Sequence, residues 1–206
     1  MAWTVYRSDT PTGSNGTSID TRAWGNEGGG SGGQWSIVAG AVDIQGNEFH
    51  EKDGAGSLAV DAGSGASLAD QRVSATMQAE WFVFVYGYQD SSNFYEVLGV
   101  TALSTHYQIY EVVAGVPALL ATSSATFSVG DVVRATMDVA GSTMSLDING
   151  SNDVSPFSES TFTSGGWGLR LAINGKASDF LVEQLAGGGG TAVPVFYHHR
   201  QTQGIS

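Results

Sequence analysis

The sequence contains no cysteine and only eight lysines and arginines in 206 residues. Without cysteine the fold has no disulfides, so packing and hydrogen bonds must hold it together. The cations occur singly from Arg7 to Arg200, which excludes the basic patch with which nucleic-acid-binding proteins neutralise phosphates. The net charge of −12 also disfavours contact with anionic membrane surfaces.

Long apolar runs are missing as well. No segment approaches the ~20 apolar residues that span a bilayer, so we expect no membrane insertion. The stretch from Met1 to Arg7 lacks the basic start and apolar run of a signal peptide, which favours folding in the cytoplasm. Glycine is abundant at 29 residues, and 41% of residues are hydrophobic. This composition is typical of a strand-and-turn protein with a substantial core.

The segment 132–149 shows the clearest local pattern. Apolar and polar residues alternate over 133–139 and again over 144–149. Side chains of a strand point to opposite faces with a period of two, so each half has one buried and one solvated face. The four residues 140–143 between them include Gly and Ser, which favours a short turn. The pattern predicts an antiparallel hairpin lying on a core.

Most of the chain repeats this pattern, with turn residues every 8–12 positions. The segment 72–88 contains the continuous apolar run 81–86, which predicts a central strand covered on both faces. The segment 34–45 is predicted as one strand, and 150–164 as a polar connection. We count roughly 12 strands and no helix, which indicates an all-β, antiparallel β-sandwich. The other predicted strands are 3–6, 49, 57–60, 94–101, 107–113, 118–122, 166–173 and 178–182.

Two glycine-rich stretches divide the chain into three parts. Residues 1–33 form a short N-terminal segment that ends in the flexible run GGGSGG at 28–33 and is partly joined to the sandwich. Residues 34–186 form the sandwich itself. Residues 187–206 begin with four glycines and continue as an extended C-terminal arm.

The C-terminal arm is too apolar for a plain disordered tail. Its proline permits an edge strand or an extended segment, but not a central strand. We expect the arm to dock on a neighbouring subunit, and the alternative is that it folds back on its own domain. The residues assigned to docking are Val193, Pro194, Val195, Phe196, Tyr197 and Arg200.

Short motifs occur in a characteristic order: Trp24, QWSI at 34–37, SNFY at 92–95, YEVVAG at 110–115, GD at 130–131, ING at 148–150, GWGL at 166–169 and DF at 179–180. Their order and spacing resemble the concanavalin A-like, laminin-G-type jelly roll over about residues 17–186. The resemblance implies two packed antiparallel sheets, one of them concave. Members of this fold bind glycans, cleave polysaccharides or serve as virion and cell-surface modules, and the fold alone does not choose among these.

Enzymes of this fold carry signatures that are missing here. A glycosidase needs two carboxylates about 5–9 Å apart, and the glucanase branch places its acids on one strand as Glu-x-Asp-x-(x)-Glu. In this sequence Glu80, Glu96 and Glu111 are each isolated, and the Arg-Thr-Glu-Leu-Arg type of strand of the lyase branch is absent. We therefore expect a protein that is not an enzyme.

Aromatic residues cluster in the middle strands, where the family has its concave sheet. Aromatic rings stack on sugar faces, and neighbouring polar groups supply hydrogen bonds. The alternative for each ring is a place in the core, because a sandwich needs bulky inward side chains. The candidate glycan-binding residues are Tyr86, Tyr88, Asn93, Tyr95, Glu96, His106, Gln108 and Tyr110.

Metal sites have little support in the sequence. Asp90, Asn93, Asp131 and Asp153 are candidate oxygen ligands for Ca²⁺, but isolated Asp residues in turns usually bond to their own backbone. The adjacent pair at 198–199 makes a poor chelate, since neighbouring side chains of an extended segment diverge. We predict no cofactor, with Ca²⁺ as the alternative.

The leading hypothesis from the sequence is a non-enzymatic virion structural protein of a tailed phage, serving in capsid decoration or in fibre or tail attachment. It rests on the start at Met1 without an export signal, the missing cysteine, the acidic sandwich and the flexible joints at both ends. The expected partners are capsid or tail proteins, further copies of the chain and a host surface glycan. The alternative is a carbohydrate-binding module that recognises a surface glycan on its concave sheet. A polysaccharide hydrolase or lyase is the third class.

Overall fold

The structure is a computed structural model that describes residues 3–9, 11, 14–19, 35–52, 56–61, 70–79, 82–99, 105–138, 142–171 and 175–185. Over these ranges it contains sixteen β-strands and no α-helix. No helix long and apolar enough to cross a membrane occurs in this described part. The strands are β1 (Trp3–Asp9), β2 (Thr17–Ser18), β3 (Trp35–Ala39), β4 (Val42–Gln45), β5 (Glu48–Glu51), β6 (Ser57–Asp61), β7 (Gln71–Met77), β8 (Phe82–Asp90), β9 (Asn93–Leu98), β10 (His106–Val113), β11 (Val116–Thr126), β12 (Val132–Asp138), β13 (Thr143–Ile148), β14 (Ser151–Ser158), β15 (Gly166–Leu171) and β16 (Lys176–Leu185).

The strands form two antiparallel sheets that pack face to face. The nine-stranded sheet has the order β14-β13-β12-β7-β16-β5-β4-β2, and β1 pairs with β16 beside this path. The seven-stranded sheet has the order β11-β10-β9-β8-β15-β6-β3. The predicted fold class, an all-β antiparallel sandwich of the jelly-roll type, is confirmed.

The main core lies between the sheets and is dominated by large aromatic side chains. Trp35 is 2% exposed and contacts Phe49 and Phe180 with ring centroids 5.7 and 5.4 Å apart. Trp167 of β15 lies against Tyr6 of β1 in an edge-to-face arrangement at 5.5 Å. Aromatic side chains bury large apolar areas and favour such tilted contacts. The first strand is therefore part of the nine-stranded sheet and packs on the core.

The predicted hairpin at 132–149 is confirmed as β12 and β13. Val133, Ala135 and Met137 of β12 are buried, and their neighbours along the strand are more exposed. Opposite them lie Ile148, Leu146 and Met144 of β13, in register. One face of this hairpin therefore covers the core, as the period of two requires.

Two segments predicted as single strands are each divided between the sheets. The segment 34–45 comprises β3 in the seven-stranded sheet and β4 in the nine-stranded sheet, and Gly40 turns between them at φ +65°. The segment 72–88 comprises β7 in the nine-stranded sheet and β8 in the seven-stranded sheet. The single-strand predictions are wrong because both halves of each segment place apolar side chains towards the core, so the local pattern does not show which sheet a strand joins.

The segment 150–164, predicted as a polar connection, contains strand β14. This strand forms an edge of the nine-stranded sheet, and most of its residues are exposed or half-buried. It includes Pro156, which an edge strand tolerates because one side makes no ladder hydrogen bonds. The prediction missed β14 because a strand without a fully buried face has no apolar alternation.

Candidate functional site

A second cluster of buried side chains lies on the outer face of the seven-stranded sheet. Phe84 and Tyr86 of β8 point into the main core, so Val85 between them points outwards, yet it is 0% exposed. Phe94 of β9 is 3% exposed on the same outer side. We call this surface the Glu96 face, and its members are Leu58, Val60, Val85, Tyr88, Phe94, Glu96, Gln108, Tyr110, Val112 and Arg170.

The outer face of the nine-stranded sheet differs. Its strands β12 and β13 alternate buried inward residues with partly exposed polar ones. One of its ion pairs, Arg134 with Glu183, has a longer N–O distance of 3.7 Å, and Arg72 lies over the ring of Trp3. A polar, solvated outer face is usual for an antiparallel sheet. The apolar cluster and the close Glu96–Arg170 pair therefore distinguish the Glu96 face.

Glu96 and Arg170 form the ion pair at the centre of this face. Glu96 belongs to β9 and Arg170 to β15, and β8 lies between these two strands. The Arg170 Nη1 atom lies 2.5 Å from Glu96 Oε2. The Glu96 side chain is 5% exposed, whereas that of Arg170 is 47% exposed. The pair therefore presents a cation to solvent and holds its counter-charge beneath the surface.

The environment of Glu96 changes its acidity. Burial raises the pKa of the Glu96 carboxyl above its ordinary value, and the nearby Arg170 guanidinium opposes that rise. Removing a carboxylate from water disfavours its charged form, while a cation within contact distance favours it. Arg170 thus supplies the compensation that a buried carboxylate needs.

Aromatic rings adjoin the ion pair. Phe94 and Tyr88 stack with ring centroids 6.2 Å apart and an angle of 25° between their planes. The Arg170 guanidinium lies over the Phe94 ring at 5.7 Å, within the range of a cation–π contact. On the other side of Glu96, Tyr110 stands directly opposite in strand β10. Its hydroxyl donates a hydrogen bond to Gln108 Oε1 at 3.2 Å.

This arrangement suits recognition by hydrogen bonding and stacking. A guanidinium has five N–H donors, so Arg170 retains donors beyond the one directed to Glu96. Half-buried tyrosines offer both a ring face and a hydroxyl. Acid–base cleavage of a glycosidic bond needs two carboxyl groups, and the Glu96 face as defined carries one.

Four of the eight predicted glycan-binding residues meet on the Glu96 face. Glu96 and Gln108 are almost fully buried, and Tyr88 and Tyr110 are half-buried. Because they come from three adjacent strands, β8, β9 and β10, the sheet places them side by side.

Tyr86 and Tyr95 do not lie on this face, and the structure corrects their assignment. Both are 0% exposed and belong to the core between the sheets, with ring centroids 5.5 Å apart. The Tyr95 hydroxyl donates to Glu159 Oε1 at 3.0 Å and accepts from the Phe162 backbone N–H at 2.9 Å. Their rings are therefore not available to a sugar, and Tyr95 instead anchors the segment that follows β14.

Asn93 and His106 occupy strand ends away from the ion pair. Asn93 begins β9, donates to the Asp90 carboxylate and accepts from the Ala114 backbone N–H at 3.0 Å. His106 begins β10, and its Nδ1 lies 3.2 Å from the Ala125 carbonyl oxygen. The Asn93 contact joins two neighbouring hairpins, and the His106 contact lies within the β10–β11 hairpin.

Sequence reasoning missed Arg170 and did not assign Phe94 to the site. Arg170 stands among Trp167, Leu169 and Leu171, which are all buried in the core, so alternation alone would place it on the outer face. Its partner could not be found from sequence, because Glu96 lies 74 positions away in the chain. The order of strands in the sheet brings the two residues together.

The candidate Ca²⁺ ligands are dispersed, and protein donors bind their oxygens. Asp90 accepts from the Ser92 backbone N–H at 2.8 Å, and Asp153 from the Ser124 backbone N–H at 2.8 Å. Asp131 accepts from the Tyr107 hydroxyl at 2.7 Å. Among the described residues, no three His, Asp or Glu side chains are grouped as a metal site would require.

The assigned docking residues Val193, Pro194, Val195, Phe196, Tyr197 and Arg200 lie outside the described residues. The docking role therefore stays a prediction, as does the oligomer that depends on it.

Comparison with known proteins gives a likeness of fold. No protein-family model matches the sequence, and no curated protein matches it. Among solved structures, the carbohydrate-binding module CBM66 from Bacillus subtilis is similar with a TM-score of 0.57 and 15% identity, covering 73% of this chain and 95% of that one. A Bacillus subtilis protein of unknown function with a galectin-like fold has a TM-score of 0.55 and 13% identity, covering 73% and 89%. The chain thus shares its sandwich with a carbohydrate-binding module and a galectin-like protein.

Proposed function

We propose that this protein binds a carbohydrate on the Glu96 face and catalyses no reaction there. The observation that carries the proposal is the half-exposed Arg170, held on the buried Glu96 beside the stacked rings of Tyr88 and Phe94. A small number of polar groups, held in place among apolar and aromatic side chains, is typical of ligand sites.

The fold supports the same function. Of the similar structures named above, one is by name a carbohydrate-binding module and another has a galectin-like fold. The single carboxylate of the Glu96 face argues against acid–base cleavage of a glycosidic bond there. At 15% and 13% identity the likeness concerns the fold. The residues of the face therefore have to supply the argument for function.

A binding experiment with matched variants tests the proposal. The full chain is run through native gels that contain one polysaccharide each, and any retardation is quantified by isothermal titration with oligosaccharides of the same sugar. Arg170→Ala is compared with Arg134→Ala, which removes the cation from the opposite outer face. We expect the wild type to bind at least one glycan and Arg170→Ala to weaken that binding about tenfold or more.

Two results would contradict the proposal. If the folded wild-type protein binds no glycan of a broad panel, the function is wrong. If Arg170→Ala binds as tightly as Arg134→Ala, the sugar is held elsewhere on the molecule.

The virion role, which the sequence favoured, gains no support from the structure or from the similar proteins. The features assigned to docking lie outside the described residues, and neither similar structure is described as a virion protein. Carbohydrate binding therefore replaces it as the leading hypothesis. The two hypotheses do not exclude each other, because a virion protein can also bind a glycan. The binding experiment described above tests carbohydrate binding in either case.

A further inference from the structure

The charge on the Glu96 face is balanced within the protein. Arg170 is the cation of this face, and its guanidinium already lies in contact with the Glu96 carboxylate. The other strand cations whose side chains are described belong to the nine-stranded sheet, where Arg72 and Arg134 lie near Glu183 and Lys176 near Glu48. A ligand at the face therefore meets a pair without net charge.

An acidic ligand would have to compete with Glu96 for Arg170. Glu96 is 4% exposed with Arg170 in contact, so a guanidinium that turns to a ligand carboxylate or sulfate leaves a buried carboxylate without its counter-charge. Removing one partner of a buried pair leaves an uncompensated charge, which is the costly part of breaking such a pair. The net charge of −12 adds a repulsion that acts before contact.

From this balance we infer that the Glu96 face selects uncharged, hydroxyl-rich sugars, and that Glu96 is the residue that excludes acidic ones. The inference rests on the proposed carbohydrate function and names its ligand class. Arg170 offers its remaining N–H donors to sugar hydroxyl oxygens without leaving Glu96. The half-buried ring of Tyr110 stands opposite Glu96, and that of Tyr88 stacks on Phe94, which adjoins Arg170. Both rings suit the C–H face of a neutral sugar.

The test compares neutral polysaccharides with their uronic acid counterparts. The pairs are mannan with polymannuronate, galactan with polygalacturonate and glucan with polyglucuronate, each measured with the full chain by affinity electrophoresis and titration. We expect the wild type to prefer the neutral member by about tenfold or more. The affinity for the neutral sugar should change little between low and high NaCl, since no ion pair forms with the ligand.

Glu96→Gln tests the residue directly. The substitution keeps the shape of the side chain and releases Arg170 from its counter-charge. The preference for the neutral member should then fall about tenfold or more, because the freed guanidinium can pair with a uronate. Glu183→Gln is the matched control on the opposite outer face, and we expect its preference to equal that of the wild type.

The outcomes separate the inference from the function on which it rests. Equal or tighter binding of the uronates by the wild type overturns the inference and leaves carbohydrate binding standing. Failure to bind any member of either class overturns the proposed function and the inference together. If folded Glu96→Gln keeps the wild-type preference, Glu96 does not set it. If that variant does not fold, the wild-type preference and its response to NaCl still decide the ligand class.

Discussion

Two buried tyrosine hydroxyls show that hydrogen-bonding partners decide what a buried polar atom contributes to stability. Tyr107 and Tyr86 are both 0% exposed in the core. The Tyr107 hydroxyl donates to Asp131 Oδ2 at 2.7 Å, and that carboxylate also accepts from the Ser128 backbone N–H and the Asn149 amide at 2.8 Å. The Tyr86 hydroxyl has no hydrogen-bonding partner among the described residues. The first hydroxyl belongs to a polar network, and within the described part of the chain the second is buried without a hydrogen bond.

The same substitution should therefore have different effects on stability at these two sites. Tyr107→Phe should lower the free energy of unfolding by about 1.5–3 kcal/mol, because it removes a hydrogen bond to a charged group. Tyr86→Phe should leave the free energy of unfolding unchanged or raise it, since it removes a buried polar atom that has no partner. Urea unfolding followed by tryptophan fluorescence measures both.

The Tyr86→Phe variant also tests the assignment of Tyr86 to the core. Tyr86→Phe should retain any glycan binding of the wild type, because the ring faces the core and not the Glu96 face. A loss of binding together with unchanged stability would return Tyr86 to the site and contradict the assignment.

Strand β15 both packs closely against β6 and carries Arg170 of the Glu96 face. Gly168 faces the outer side between Val60 and Val85, with which it pairs in register. A Cβ placed at Gly168 would lie 2.9 Å from the Val60 Cα and closer still to the Ala59 carbonyl oxygen. The missing side chain lets β6 approach β15, the strand that carries Arg170 two residues later.

Gly168→Ala should accordingly destabilise the protein. Forcing a methyl group against the β6 backbone should cost about 1–3 kcal/mol of unfolding free energy, and it should weaken glycan binding through a displaced Arg170. Gly166→Ala in the same strand is the control, because its nearest contact would be 3.7 Å, to the Tyr88 carbonyl oxygen. Equal unfolding midpoints for the two variants would show that β6 and β15 are not in such close contact.

The turns explain which elements the sequence can predict. Asn149 and Gly150 both have positive φ, at 52° and 79°, and connect β13 to β14 as an Asn-Gly hairpin turn. This dipeptide is a strong hairpin signal, and on its own it predicts a strand after β13. The segment 150–164 was instead predicted as a connection because it lacks apolar alternation. In contrast, the crossing from β7 to β8 was missed because the residues 78–81 include no Gly, Pro, Asn, Asp or Ser that would signal a turn.

At the scale of the molecule, the two outer faces could not be distinguished from sequence. The alternation of β8 and β9 places Val85, Phe94 and Glu96 on one side, but whether that side is covered depends on the strands beside them. The run 81–86 did predict burial on both faces of its strand, and β8 confirms it with Phe84 in the main core and Val85 in the outer cluster. The sandwich and four of the ten residues of the Glu96 face followed from local pattern. The Glu96–Arg170 ion pair could not be predicted without the order of the strands in the sheet.

One acidic residue connects the edges of the two sheets. Asp153 lies on β14, the edge of the nine-stranded sheet, and accepts from the Ser124 backbone N–H and hydroxyl at 2.8 and 2.6 Å. It also accepts from the Ala125 backbone N–H at 3.2 Å, and both donors belong to β11, the edge of the seven-stranded sheet. Burial acts to raise the pKa of the Asp153 carboxyl, but these hydrogen bonds outweigh it and lower the pKa below 3.8.

The connection should make part of the stability depend on pH. A carboxyl whose pKa is lower in the folded state stabilises fully above its unfolded value of 3.8 and loses that contribution as pH falls through the folded pKa. At neutral pH, Asp153→Asn should therefore lower the unfolding free energy by about 1 kcal/mol, since the site is partly exposed. At acidic pH the deficit should shrink, because the wild type has then lost the same charge. Asp147→Asn on β13, whose carboxylate accepts from Asn152 within the same sheet, serves as the control. Urea midpoints at both pH values measure the effect, and a deficit that stays constant with pH would show that the Asp153 charge does not join the sheets.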